Sequence, residues 1–570
     1  MRLADDPAKE DYSLRYTPSE FRQWRPRQVW ITAIGSLAAM AGYSLAGSFA
    51  LGFGFPNALG GFLVSGVIIF IIGLPIAFHI ADKNIDIDLL TRGAGFGYLG
   101  STITSLVYAT FTLIYLAFEG SIMAQAVTAL THVPIRISYV IVSIAIIPLV
   151  VYGMRFTAKF QAWTQPLWMA LLFAGIIAVL VAPGSFHDVA QLHPSGSFTG
   201  LSVIGLFAVA AAQLSGGAQA GEQGDYLRFM PDRTPANKRS WWFSVVFGGS
   251  GFTFIFIFAF LAGLLLTGYA VPRVGTANAD QPVVMFDEAY ARIFGHNELA
   301  LVIAVVLVIL SQLKINIMNA YSGSLSWSNF FSRVLHHHPG RVVWLFLQVA
   351  LGLAIMEAGL FGVMDKVLAV YSNLAIAWIG CIFSDLVINK KLLKLSPPLI
   401  EFKRAHLYNF NPVGFGSMLV ATAISFTAYF GAFGPDAKSL SAFISLGVAI
   451  VLPPIVAWAT HGKYYIARAA ELPADEARLA CVACGEDFPR LDMATCPFHQ
   501  GTICSLCCST DGSCHDECKK PDGELAGAGT RVSLGMPRMS RQGVGFPKQE
   551  RRGVPVPIER TAPLAEGEGA

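Results

Sequence analysis

The sequence predicts an all-α membrane protein of twelve transmembrane helices, followed by a small cysteine-rich module and a disordered tail. Three observations predict it. Of 570 residues, 54% are hydrophobic and only 14% charged, whereas soluble domains carry about 25% charged residues. Apolar stretches able to cross a bilayer, about 20 residues each, recur through residues 28–462. Eight of the nine cysteines then fall between Cys481 and Cys518. The net charge of +3 is too small to point to a nucleic-acid partner.

Residues 1–27 are polar and carry both charge signs, so no cleavable signal is expected. Thr17-Pro18-Ser19-Glu20 reads as a capping box opening a short amphipathic helix at the cytoplasmic surface. The spans fall at about 28–52, 58–81, 99–130, 134–153, 162–182, 200–220, 240–268, 297–326, 342–360, 363–388, 412–431 and 438–461. Lys and Arg alternate between the connecting segments. Arg22, Arg25, Arg27, Lys83, Arg92, Arg155, Lys159, Arg228, Arg233, Lys238, Arg239, Arg333, Arg341, Lys390, Lys391, Lys394, Lys403 and Arg404 lie on one side, and far fewer on the other. Positive residues stay inside, which predicts both termini in the cytoplasm and the body in the inner or plasma membrane.

The first span carries Gly35, Gly42, Gly47, Gly52 and Gly54; the sixth carries Gly216, Gly217 and Gly221. Such glycines serve either close helix packing or a break in the helix. Breaks in spans one and six, five apart, fit an inverted five-helix repeat with a binding site at the membrane midplane.

Charged groups inside the apolar spans support such a site. Glu119 lies in the third span and Lys314 in the eighth. Each costs roughly 2.5–3.5 kcal/mol on insertion scales, so such groups face a bundle interior or a wet cavity. Tyr115 and Glu119 are four residues apart and share a helix face; the ring can stack on a flat heterocycle while the carboxylate accepts its N–H groups. Gln312, Asn316 and Asn319 form one stripe on the eighth span, and amides match the mixed donor and acceptor edge of a nucleobase. Gln213 and Gln219 in the sixth span are further candidates. The structural alternatives are an ion pair between Glu119 and Lys314, and interhelical hydrogen bonds for the amides. Asp225 and Arg228 could pair as a gate, and His336-His337-His338 reads as surface.

Four segments carry a family resemblance. Leu90-Thr91-Arg92 with Phe96-Gly97 and Gly100-Ser101, before a long helix, resembles the nucleobase:cation symporter-1 family of cytosine, purine, allantoin and hydantoin permeases. Asp225-Tyr226-Leu227-Arg228-Phe229, Asn316-Ile-Met-Asn319-Ala-Tyr321-Ser322 and Ala377–Asp385 are similar to that family's motifs after helix six and on helices eight and ten. The resemblance covers roughly residues 20–465. It implies the leucine-transporter fold, ten core helices in two inverted repeats plus two more. It also implies that an aromatic and an amide on helix three grip the substrate; Glu119 in the amide position is a departure. In sodium-coupled relatives the Lys314 stretch supplies oxygens to Na⁺. The Lys314 ammonium in its place would substitute for the ion, and predicts proton-coupled or uncoupled transport over sodium coupling.

The module spans about 475–520. Its ligand pairs are Cys481/Cys484, Cys496/His499, Cys504/Cys507 and Cys514/Cys518, with Cys508 and His515 as spares. In a reducing compartment such pairs bind metal rather than form disulfides. Four pairs predict two structural Zn²⁺ ions, with an iron–sulfur site or a redox switch as the alternatives; a cross-braced arrangement, as in RING- or FYVE-like modules, would join the first pair with the third and the second with the fourth. Residues 521–570 hold too few large apolar groups to fold.

No nucleophile–base set is present, so no enzyme is expected. The function predicted is a permease for a nucleobase or related planar nitrogen heterocycle, working by alternating access. The alternative is a transporter-derived sensor that signals through the zinc module to a cytoplasmic protein; the module could also be a handle for trafficking or assembly.

Overall fold

The structure, a computed structural model, describes residues 14–36, 38–192, 200–469 and 478–519. The tail forecast as disordered, 521–570, lies outside the described residues.

Each forecast span falls on helix. The first is two pieces, Pro26–Ser36 and Ala41–Phe53. Gly54, at φ 83°, turns the chain directly into the second, Phe55–Lys83, with Pro56 in its first turn. The third is Gly100–Thr131, the fourth Ile135–Val151 and the fifth Gly153–Leu180. The sixth runs Val203–Gln213, tightens into one 3-10 turn over Leu214–Ala218 and continues as Gln219–Leu227. The seventh, Phe252–Val274, and the eighth, Glu298–Leu335, precede Arg341–Glu357, Met364–Phe383, Ser417–Tyr429 and Ser441–Ala459. Among the described residues, nine helices are long and apolar enough to cross a membrane by length and composition. The broken first span and the 17-residue fourth and ninth fall short of that length.

The membrane reading has a direct physical trace. Leu63, Val67 and Ile71, one stripe of the second span, are 44%, 57% and 54% exposed. Glu119, Gln312, Lys314 and Asn316 are fully buried. Apolar groups face outward and charged groups inward, the inverse of a water-soluble protein. This is a multi-pass membrane protein.

Two elements differ from expectation. Residues 17–20 do not open an amphipathic helix: a single 3-10 turn, Ser19–Phe21, forms without a side-chain cap. Longer-range bonds hold the segment extended instead. Thr17 N–H donates to the Asn84 carbonyl at 2.9 Å, Trp24 N–H donates to the Phe229 carbonyl at 3.2 Å, and the Trp24 ring stacks on Phe229. It forms a strap across one end of the bundle. The connection before the eighth span, for which the sequence named no element, holds the helix Pro282–Phe294. Val283, Phe286 and Tyr290 recur at helical spacing and are buried.

The cysteine-rich module consists of two antiparallel hairpins, Arg478–Ala480 with Asp487–Pro489 and Met493–Cys496 with Gly501–Cys504, then the helix Ser505–Thr510. Its apolar core is small: Leu479, Cys481, Met493, Ile503 and Cys504. It packs against the end of the bundle that carries the strap. Arg404 donates from Nε to Asp516 at 2.9 Å and from Nη1 to the carbonyls of Cys508 and Asp511 at 2.9 and 2.6 Å. Asn409 Nδ2 donates to Asp516 at 3.1 Å, and Lys519 Nζ donates to Asn409 Oδ1 at 3.1 Å. Burial alone would raise the Asp516 pKa, but Lys519 and Arg404 hold it below the usual carboxylate range. His336, read as surface from sequence, meets Gly512 and Ser509 of the module. On the other side the Arg15 guanidinium of the strap lies 5.1 Å from the Phe488 ring centroid.

Candidate functional site

The break in the first span is gripped from two sides. Helix Ala41–Phe53 begins with a free N–H at Ala41, one of the orphan donors of every helix start. Glu119 Oε2 of the third span accepts it at 3.1 Å. Gln312 of the eighth span donates from Nε2 to the same oxygen at 2.6 Å and to the Glu119 backbone carbonyl at 3.0 Å. Gln312 Oε1 accepts from Met40 N–H at 3.4 Å. Three spans thus meet at one carboxylate. The helix dipole at Ala41 favours negative charge there. Glu119 Oε1, buried, makes no hydrogen bond.

One turn away Tyr115 lines a narrow cavity of about 30 Å³ with Gln213, Gln219, Ser65, Thr253 and the phenylalanines 62, 111, 252, 256 and 260. Its walls come from spans one, two, three, six and seven. A bound water takes roughly 10–15 Å³ of such space, so a planar ring enters only when the walls part. The glycines of the sixth span leave that space: a methyl at Gly216 would first meet Ile69 at 3.6 Å. A larger crevice, about 390 Å³, lies between the first half of span one and spans five and seven. Its lining is almost wholly apolar, and Phe247, Phe254 and Phe258 face outward.

Not all the predicted residues converge. Asn316 and Asn319 are buried beside each other, Nδ2 of Asn319 being 3.5 Å from Oδ1 of Asn316, but neither lines the cavity. Lys314 does not pair with Glu119. Its Nζ donates to the Gln161 carbonyl and to Thr164 Oγ1, both at 3.1 Å, and lies 5.7 Å from the Trp168 ring centroid. Gln161 Nε2 returns a bond to the Lys314 carbonyl at 2.9 Å. Lys314 therefore ties span eight to span five, and Gln161 sits directly under Gly35 of the first span. Arg228 comes within 3.5 Å of Asp86, and Asp225, whose charge also acts on Arg228, accepts from Tyr108 OH at 3.2 Å. The chain turns at Asn84 and brings Asp86 back under the sixth span.

One group was missed from the sequence. Glu222, in the second half of the sixth span, is fully buried, and neither carboxylate oxygen has a hydrogen-bond partner. The sequence reading ends the sixth span at residue 220, two residues short of it, whereas the helix continues to Leu227.

The second candidate site is in the module. Cys481, Cys484, Cys504 and Cys507 bring four sulfurs within 4.8 Å of one another. Tetrahedral Zn–S bonds of about 2.3 Å place sulfurs about 3.8 Å apart, so the set fits one ion. Backbone N–H groups already turn to sulfur: Cys504 N to Cys481 Sγ at 3.3 Å and Cys507 N to Cys504 Sγ at 3.4 Å. Gly485, at φ 79°, makes the tight turn after the first pair. The first unit lies with the third, as a cross-braced arrangement would place them. Among the described residues, Cys496, His499, Cys514 and Cys518 form no comparable group, and His499 Nε2 lies 2.7 Å from Asp511 Oδ2. Nearby, burial pushes the Asp492 carboxyl up to about 6, against the pull of Arg15.

Comparison with known proteins follows the same outline. Similarity to a putative purine–cytosine permease, YxlA of Bacillus subtilis (strain 168), is 29% identity over 247 residues, 42% of this chain and 47% of that protein. The chain therefore matches about half the length of its curated relative. Mhp1, a nucleobase-cation-symport-1 family transporter solved closed with bromovinylhydantoin bound, superposes with a TM-score of 0.58 at 16% identity, over 79% of this chain and 99% of Mhp1. The fold is a transporter fold. A Na⁺-coupled sialic acid symporter shares it, with a TM-score of 0.56 at 11% identity over 80% of this chain and 93% of that one. No protein-family model matches. The likeness to nucleobase:cation symporters carried by the sequence motifs is supported by both the curated relative and the fold.

Proposed function

We propose that this chain is a secondary transporter for a planar nitrogen heterocycle of the nucleobase or hydantoin kind. The observation that carries the reading is the convergence of Glu119, Gln312 and the broken first span beside the aromatic cavity of Tyr115, Gln213 and Gln219. The ring of Tyr115 offers a stacking face, and the glutamine amides offer donors and acceptors to a heterocycle edge. Asn316 and Asn319 join the pocket only if the eighth span turns during the cycle. Opening and closing around this midplane would alternate access, with both termini in the cytoplasm of the cell membrane. YxlA, a putative purine–cytosine permease, and Mhp1, solved with a hydantoin bound, favour the substrate class.

Lys314 takes the part of a resident cation in this reading, so sodium is not required. Glu119 and Glu222, both buried carboxylates within the spans, are the groups proposed to carry a proton. Proton-driven or uncoupled transport follows.

The sensor alternative is favoured by one observation, the module's grip on the membrane domain through Arg404 and His336. That surface is taken up by the chain itself, and nothing in the relatives points to a further protein partner.

Uptake of labelled uracil, hypoxanthine, cytosine and benzylhydantoin into proteoliposomes, with and without an inward proton gradient, tests the proposal. Saturable uptake that Tyr115→Ala abolishes is the expected result. Binding of any of these ligands without flux would favour the sensor, and neither binding nor flux would refute the substrate class.

A further inference from the structure

The crevice of about 390 Å³ beside the first span takes no part in the site around Tyr115. Trp30 and Ile34 of the first span form one wall, Met169 and Phe173 of the fifth a second, and Phe247 and Phe254 of the seventh a third. A π turn over Ser244–Ser250, with Gly249 out of helical geometry at ψ −112°, interrupts span seven between these two phenylalanines. Such bulges recur at functional sites.

Met169, Phe173, Phe247 and Phe254 are exposed on the outward face of the bundle, where the solvent is hydrocarbon. The lining offers water almost no hydrogen-bond partner, and water needs two or more to stay. A lipid tail is the group at hand to fill it. From Phe247 to Ala259 the third wall covers about 18 Å at a rise of 1.5 Å per residue. One leaflet of hydrocarbon is about 15 Å deep, half of the bilayer core. The crevice therefore has the length of a single acyl chain.

One end of it is basic. Trp30 stacks on Phe243 with ring centroids 4.3 Å apart, and the Phe243 and Phe247 centroids are 4.7 Å apart. Arg27 lies three residues before Trp30 and Arg239 four before Phe243, each on the same helix as its ring, so each stands one helical turn beyond the stacked pair. Both helices, Pro26–Ser36 and Lys238–Phe243, start from the strap end of the bundle, where Trp24 stacks on Phe229. The two bases thus lie on the same side of the pair. Both are exposed, and among the described residues neither side chain makes a hydrogen bond, ion pair or ring contact. The neighbouring Asp232 is taken by Arg22 at 2.8 Å. Guanidinium groups match phosphate in shape and charge, and bases beside a span draw anionic headgroups.

We propose that this crevice is a binding site for one anionic glycerophospholipid of the strap-side leaflet. One acyl chain lies along residues 247–259, against the first and fifth spans, and the phosphate rests between Arg27 and Arg239. The site is separate from the cavity of Tyr115, so it stands whatever the transported substrate is.

The test is native mass spectrometry of the intact protein, extracted from bilayers that mix phosphatidylglycerol and phosphatidylcholine of matched chains. The parent is expected to keep one phosphatidylglycerol per chain in preference to phosphatidylcholine. Arg27→Gln combined with Arg239→Gln should weaken that preference roughly twenty-five-fold, at about fivefold per base. Met169→Trp, which fills the crevice from its bilayer side, should abolish retention. The parent alone covers the case in which a variant fails to fold. Phosphatidylglycerol brominated on its acyl chain should quench tryptophan fluorescence, through Trp30 and Trp168 of the lining, more than brominated phosphatidylcholine at equal mole fraction. Equal retention of the two lipids, equal quenching by their brominated forms, an unchanged preference in the double variant, or phosphatidylglycerol still held by Met169→Trp would each overturn the proposal.

Discussion

Replacing Arg404 with alanine tests whether the cysteine-rich module is fastened to the membrane domain. The guanidinium makes three short bonds across that junction, to Asp516 and to the carbonyls of Cys508 and Asp511, at 2.9, 2.9 and 2.6 Å. It is nearly buried, with 7% of its side chain exposed. Breaking a buried charge pair costs about 3–5 kcal/mol. Lys519 and Asn409 still hold Asp516 after the substitution, so the low end applies. About 3 kcal/mol raises the undocked population roughly a hundredfold. The assay is the distance distribution between spin-labelled unnatural amino acids at Leu335 and Leu491, both exposed, in lipid nanodiscs. The parent should give one narrow distance. Arg404→Ala should add a broad, longer component, and Arg404→Lys, which keeps charge but loses the planar fork, an intermediate one. An unchanged distribution in Arg404→Ala would refute the idea that these bonds hold the module in place.

Glu119→Ala strands two buried donors, Ala41 N–H and Gln312 Nε2; at about 1–3 kcal/mol each it should lower thermal stability in detergent clearly, whereas Glu119→Gln, which keeps an acceptor oxygen, should lower it by about half as much. Lys314→Ser removes the cation between spans five and eight, and uptake should then become stimulated by sodium; equal indifference to sodium in parent and variant leaves the substitute-cation reading without support. Chelation of metal should unfold residues 478–519 alone, because structural zinc supplies most of the folding energy of so small a core; hydrogen exchange should rise there and stay constant in the third and eighth spans.

The membrane domain was legible because its signals are local. Length, apolarity and Lys/Arg placement mark each span whatever packs beside it, and the breaks near Gly35 and Gly216 announce themselves in composition. The four-cysteine cluster was equally legible, since Cys481-x2-Cys484 and Cys504-x2-Cys507 each bring paired sulfurs together by local backbone geometry. Helical spacing also put Tyr115 and Glu119 on one face.

Partnership was decided by tertiary structure. Helical spacing turns Lys314 off the Gln312–Asn316–Asn319 stripe, but not toward which neighbour; only the packing of span five brings Gln161 and Thr164 to it in place of Glu119. Arg228 comes within ion-pair distance of Asp86 because the chain reverses at Asn84. The strap, the Arg404 junction and the exclusion of His499 from a clustered thiol set all depend on segments tens to hundreds of residues apart. A side chain's face follows from the repeat of its own helix, while the atom it touches follows from which helices pack beside it, and that second fact is written nowhere along the chain.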